Sequence, residues 1–246
     1  MFAVIMIAYG EDDLTDAALA DFEWQPENMF DLYLVDNKGG YKNDIFKRPN
    51  FYYVESPNLR WLKGTNLGTE TARKRRIYEQ KQPYEGYMWI NNDVRVSPGF
   101  VRGLEASLRA ARGPVGIMAP AYDHVWPQQN TSHYRGPAAH YVARDVEREV
   151  KFVDGAGMLV THEAYVAVGP MDGERFGRFG WGGDFDYAIR VRDAGYKVMV
   201  TERAYFNHLG GATNKLLEEN YHGEAGGEMT AGMIDKYGLD WRARLD

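Results

Sequence analysis

The chain has 246 residues, 44% of them hydrophobic, with 17 Tyr, 11 Phe and 6 Trp, enough to pack one large α/β domain. A formal charge of −6 excludes a general attraction to phosphate backbones, and the absence of cysteine excludes disulfides, thiolate nucleophiles and Cys-ligated zinc. No apolar run reaches bilayer length and no basic segment precedes the first strand-like run, so the expected location is the cytoplasm, or the host cytoplasm for a viral protein.

In chain order, strand-like runs cover Phe2–Ala8, Asp31–Val35, Phe51–Val54, Tyr87–Ile90 and Val115–Ala119. Helical patterns fall between them at Asp13–Trp24, Thr65–Gln80 and Pro98–Ala111, the last with Ser97 as N-cap and Pro98 in the first helical position. The basic cluster Arg73, Lys74, Arg75 and Arg76 spreads around the second helix and reads as a solvated charged face. Such alternation predicts a Rossmann-type, mostly parallel sheet flanked by helices.

The second half has a different texture. Asp123–Arg144 has no period, and the pattern then gives a strand at Gly157–Val160 and a helix at Asp184–Ala194 closed by Gly195. Two strands follow at Val198–Val200 and Ala204–His208, and a helical tail from Thr213 is interrupted by Gly223, Gly226 and Gly227. The expected division is a main domain over 1–212, in halves 1–120 and 121–212, with an extension or lid over 213–246. Asp123–Arg144 and the glycine-interrupted tail have the composition of loops over a site. Tyr122, Trp126, Tyr134 and Tyr141 would offer flat surfaces there, and permanent packing is the plain alternative.

In an open α/β sheet, ligands bind beyond the carboxyl ends of the strands. Those ends supply Ala8, Tyr9, Gly10 and Glu11, then Asp36 and Asn37, then Asn91, Asn92 and Asp93. Such an edge suits a ligand with a base, a ribose and a metal-bound diphosphate.

Four segments in order resemble family 2 of the GT-A-fold glycosyltransferases, particularly its rhamnosyltransferase-like members. They are Val35-Asp36-Asn37 after the opening strand; Asn58-Leu59 with Gly64-Thr65-Asn66; Trp89-Ile90-Asn91-Asn92-Asp93; and the late set Val153-Asp154-Gly155-Ala156-Gly157, Trp181-Gly182-Gly183-Asp184-Phe185-Asp186 and His208-Leu209-Gly210-Gly211. The resemblance implies a GT-A-like fold with a mixed acceptor-side half. It also implies inverting, metal-dependent transfer from a UDP-, dTDP- or GDP-linked sugar to an acceptor hydroxyl on a glycan, a protein or a modified DNA base. Nucleic acid enters only as that acceptor.

On this resemblance Asp93 and His208 hold a divalent ion, Mn²⁺ or Mg²⁺, that neutralises the leaving diphosphate. Asn91 and Asn92 support them; Ala8 to Glu11, Asp36, Asn66 and Asp154 line the nucleotide sugar. A turn-forming Asn-Asn-Asp is the plain alternative for Asp93. Asp184 is the expected general base, although a helix cap would look the same. Asp186 would line the site, or pair with Arg190 four residues on. Trp181 would stack on a sugar ring. Gly183 stands where the family has Glu, which leaves the orientation of the acceptor open. A silent sugar-binding module and a nucleotidyltransferase are the competing readings.

Overall fold

A computed structural model describes residues 1–131, 133–210 and 220–246. Its described residues form one nine-stranded sheet in the order β3-β2-β1-β4-β8-β6-β9-β5, with β7 also paired to β9. The strands are β1 (Phe2–Ala8), β2 (Phe30–Asp36), β3 (Phe51–Glu55), β4 (Gly86–Asn91), β5 (Val94–Val96), β6 (Val115–Tyr122), β7 (Glu147–Glu149), β8 (Gly157–Thr161) and β9 (Lys197–His208). Helices are α1 (Asp12–Glu23), α2 (Arg60–Tyr78), α3 (Phe100–Ala110), α4 (His162–Val168), α5 (Gly183–Asp193) and α6 (Tyr221–Tyr237).

β1 pairs in parallel with β2 and β4, and β2 with β3. β8 runs antiparallel between β4 and β6, and β9 returns parallel to β6. β1 to β4, β6 and β9 therefore all end at one edge, where antiparallel β8 begins. The sheet thus joins a parallel half to a mixed half, as expected for a GT-A-like fold.

The pattern of β1 shows why it sits at the centre. Every residue of it is buried, as expected for a strand covered on both faces. Ala3, Ile5 and Ile7 join the cluster that includes Leu62 and Ala72 of α2, while Phe2, Val4, Met6 and Ala8 join the cluster of Ala18, Leu19 and Phe22 of α1. α2 lies close on the sheet because Gly68 has no side chain; a Cβ there would stand 2.4 Å from Ile5 Cγ2.

Several boundaries differ from the sequence reading. α2 starts at Arg60 rather than Thr65. α3 starts at Phe100 after Gly99 in the left-handed region, so Ser97 is not its N-cap. The Ser97 hydroxyl instead accepts the Tyr205 N–H at 3.1 Å, tying the loop to β9. The two strands expected near the end are one, β9, whose register with β6 shifts between Pro120 and Ala121. α6 is continuous through Gly223, Gly226 and Gly227. The start of the expected tail, from Thr213, lies outside the described residues, as does Gly211 of the last motif.

Among its described residues, Asp123–Arg144 is irregular apart from a short turn at Ala138–His140, and Trp126, Tyr134 and Tyr141 pack on the core. Tyr122 and Tyr141 are core residues, 0% and 6% exposed, so they offer no open face to a sugar. Tyr141 stacks on Tyr205 at 4.5 Å, and Trp126 packs edge-on against Phe152 and Phe185. The basic face of α2 is neutralised locally. Arg73 bonds Glu70 at 3.0 Å and Arg75 pairs with Glu79 at 2.6 Å, while Arg76 lies over the Tyr84 ring.

Candidate active site at the strand ends

The end of β4 and the end of β9 meet through β5. His208 pairs in register with Val94, and the Leu209 N–H donates to the Asp93 carbonyl at 2.9 Å. His208 Nε2 consequently lies 3.3 Å from Asp93 Oδ1 and 3.5 Å from Asn91 Nδ2. Two buried atoms in this cluster, Asn91 Oδ1 and His208 Nδ1, lack any hydrogen-bond partner, and Asp93 Oδ1 has the His208 ring beside it. Burial works against a charged His208 ring, but the Asp93 carboxylate, helped by Asp154 and Asp123, outweighs it and raises the His208 pKa.

Two further residues belong to this cluster and were missed in the sequence. Asp123 Oδ2 accepts from Asn207 at 2.6 Å, and the His124 ring lies 4.8 Å from that of His208. Burial first, and His208 second, push the His124 pKa down. The signal was present but displaced. β6 runs three residues past its expected end at Ala119, so Asp123 and His124 follow a strand end like the others.

Asp154 and Asp184 form the second cluster. Asp154 closes the bend into β8, accepting from the Ala156 N–H at 2.8 Å and from the Tyr122 hydroxyl at 3.3 Å. Asp184, second residue of α5, accepts from its neighbour's N–H on Phe185 at 2.9 Å and from the Gly155 N–H at 3.2 Å. Burial, then the negative charge of Asp154, push the Asp184 carboxyl up to about 7. A carboxylate with that pKa can accept a proton near neutral pH. A Cβ on Gly183 would lie 2.6 Å from Leu62 Cδ2, so a larger residue there would require Leu62 to move.

Other expected site residues turn inward. Asp36, 2% exposed, accepts from the backbone N–H groups of Lys38, Gly39 and Tyr41 and from the Tyr53 hydroxyl. These donors fill its acceptor positions and hold its pKa below the usual carboxylate value despite burial, so Asp36 shapes its own loop. Asn66 makes a reciprocal pair with the Met171 backbone at 2.9 and 3.0 Å. Asn92 donates to Thr15 Oγ1 at 2.8 Å and fixes the turn at Gly10.

Asp186 is fully buried and bonds Arg190 at 2.9 Å, Lys236 at 2.6 Å and the Tyr237 hydroxyl at 2.7 Å, which makes it a link between α5 and α6. At the end of β1, Ala8 is buried and its carbonyl accepts the Asn37 N–H at 2.9 Å, while Tyr9 stays 36% exposed. Gly10 and Glu11 are both in the left-handed region, and Lys38 lies against Gly10. Trp181 is half-buried, in edge contact with Tyr221 and His222 of α6.

With this geometry in view, the relatives are informative. The chain is 35% identical over 242 residues to the uncharacterized proteins Rv1525 of Mycobacterium tuberculosis and Mb1552 of Mycobacterium bovis, covering 96% of itself and 85% of each of them. It belongs to the same family as these mycobacterial proteins. No protein-family model matches the chain. Among solved structures, it is similar to GalNAc-T7 with UDP, GalNAc and Mn²⁺, at a TM-score of 0.60 and 12% identity. That match covers 85% of this chain but 43% of the GalNAc-T7 chain. Staphylococcus aureus TarS in complex with UDP aligns with 99% of this chain and 69% of its own, at a TM-score of 0.61 and 10% identity. At these identities the likeness establishes the GT-A fold. Among the described residues, no group of three or more His, Cys, Asp or Glu side chains is placed to hold a metal ion, and no helix is long and apolar enough to cross a membrane.

Proposed function

We propose that the protein is an inverting glycosyltransferase that moves a sugar from a nucleotide-sugar donor to an acceptor hydroxyl. The observation that carries this reading is the pairing, at one edge of a GT-A sheet, of the unsatisfied Asp93–His208 cluster with a carboxyl, Asp184, pushed up to about 7. GalNAc-T7 and TarS, which share the fold, have been crystallised with UDP, and this supports a nucleoside diphosphate at the edge.

Asp93 and His208 would hold a divalent ion. Two protein donors would leave a hard cation open to oxygen ligands from its substrate, and Asp93 Oδ1, 3.3 Å from His208 Nε2, would be one of the two. An imidazole beside oxygen donors suits Mn²⁺ better than Mg²⁺. When bound, the ion supplies charge neutralisation for the leaving diphosphate.

The protein's own residues do the rest. Tyr9, Gly10 and Glu11 border the nucleoside end, and Asp154 stands between donor and acceptor sides. Asp184 accepts the proton of the acceptor hydroxyl as its oxygen attacks the anomeric carbon from the face opposite the diphosphate. The bond to the diphosphate oxygen breaks with its electron pair, so one displacement inverts the configuration. Asp184 keeps its place through the Gly155 N–H, whichever acceptor is used.

The test is a panel of UDP-, dTDP- and GDP-sugars incubated with and without Mn²⁺, read as donor hydrolysis and binding. Metal-dependent release of one nucleotide is the expected result, and chelation should abolish it. Tight binding without any turnover would instead identify a sugar-nucleotide-binding module.

A further inference from the structure

The head of α2 carries an arrangement that the transfer chemistry does not use. Arg60 has a φ of 59°, a left-handed conformation that side-chain-bearing residues seldom adopt. It is pinned there from both sides. Its N–H donates to Asn58 Oδ1 at 3.1 Å, and its carbonyl accepts from Asn37 Nδ2 at 3.1 Å. Arg60 is exposed, with no carboxylate partner among the described residues. The neighbouring cations are engaged: Lys63 pairs with Glu174 at 3.0 Å and Arg178 with Glu224 at 2.7 Å.

Next to Arg60, the Trp61 ring fills the space beneath Gly155 and Gly180; a Cβ on Gly155 would stand 2.5 Å from its Cη2. Arg60 is thereby placed beside the segment that leads into Asp184. Trp181 lies one residue past Gly180 and contacts Tyr221 at 6.2 Å and His222 at 5.6 Å between ring centroids. Burial raises the pKa of the Tyr221 hydroxyl, and the positive charge of Arg60 opposes that rise.

We propose that Arg60 and the Trp181–Tyr221 ledge form an acceptor subsite for an anionic sugar, one bearing a phosphate or carboxylate beside the ring that supplies the hydroxyl. This rests on the assignment of Asp184 to the acceptor side. Asp154 and Asp184 would repel an anionic acceptor that approached without a compensating cation. Arg60 provides that cation at the rim, and its planar fork can hold a phosphate or carboxylate through two hydrogen bonds. The aromatic ledge presents a flat apolar face to the ring.

The experiment titrates the UDP-saturated full chain with glucose, glucose 6-phosphate and glucuronate, followed by intrinsic tryptophan fluorescence. Saturating UDP keeps the charged sugars out of the diphosphate position. At least one charged sugar should half-saturate the protein at a concentration tenfold or more below that of glucose. The phosphate and carboxylate arms identify which anion is preferred. Arg60→Gln should remove the advantage and leave UDP affinity unchanged. Equal binding of all three sugars, displacement of the charged sugar by UDP, or a preference that survives Arg60→Gln would overturn the proposal. If UDP does not bind, dTDP or GDP takes its place; failure of all three counts against the donor reading, and the same titrations without nucleotide then judge the subsite by the same criteria.

Discussion

Replacing Asp184 by Asn should make the protein more stable while nearly abolishing turnover. The native state holds this carboxyl at a pKa of about 7 against an ordinary 3.8, with burial as the main cause and Asp154 second. Between those two values the folded chain keeps a proton that the unfolded chain has released. Stability contributed by the protonated group is therefore fully present below pH 3.8 and is lost as pH rises through about 7. Each pH unit of that displacement is worth about 1.4 kcal/mol, so the loss is at most ~4 kcal/mol. Partial exposure of the side chain and the acceptor sites that Asn gives up reduce the expected gain at pH 8 to about 2 kcal/mol. For a chain of this size that is a rise in Tm of roughly 4–8 °C. Thermal melts followed by circular dichroism at pH 4.5 and pH 8 measure it. The variant should gain at pH 8 and show little difference at pH 4.5, and turnover should fall by about two orders of magnitude or more. An Asn variant that melts at or below the native temperature at pH 8 would refute the claim that this carboxylate is held ionised at a cost.

Three further outcomes are expected. Asp154→Asn removes the like charge, so the acid limb of the pH–rate profile should move about one pH unit lower while the rate at pH 8 changes little; an unmoved limb would disconnect the two carboxyls. Asp93→Ala should weaken sugar-nucleotide binding by about tenfold or more and erase its enhancement by Mn²⁺ in calorimetry; metal-enhanced binding that persists would relocate the ion. Gly183→Ala should lower stability by about 1–3 kcal/mol through its collision with Leu62, and adding Leu62→Ala to it should cost less than the two single changes summed; strict additivity would mean the helix start had simply shifted away.

The fold was legible where apolar runs were long. β1 was bounded correctly because every residue in it is buried, and the alternation of strand and helix through β4 gave the parallel half directly. Short elements left no period to read. β5 has three residues, and α4, with seven, is set by Thr161 accepting the Ala164 N–H. Glycines misled at α6, where a helix read as interrupted is continuous and makes contacts elsewhere, among them Arg175 with Asp235 at 2.7 Å. In the site, residue type announced chemistry without direction. Asp93 and His208 do converge, and Asp184 does face Asp154 across Gly155. Asp36 and Asn66 carry the same kinds of atoms and spend them on neighbouring backbone, a distinction that only the path of the chain settles. His124 was overlooked because a strand ended later than its hydrophobic run suggested.

The buried carboxylate of Asp186 has a mechanical consequence. It sits two residues beyond Asp184 on the same helix and is clamped by Lys236 and Tyr237 near the far end of the chain. Pulling α6 away would strand a negative charge in a dry interior with only Arg190 to answer it. The last helix and the residue that would take the proton therefore travel as one piece. A displacement of α6 would be carried to α5, and with it to Asp184, through the contacts of Asp186.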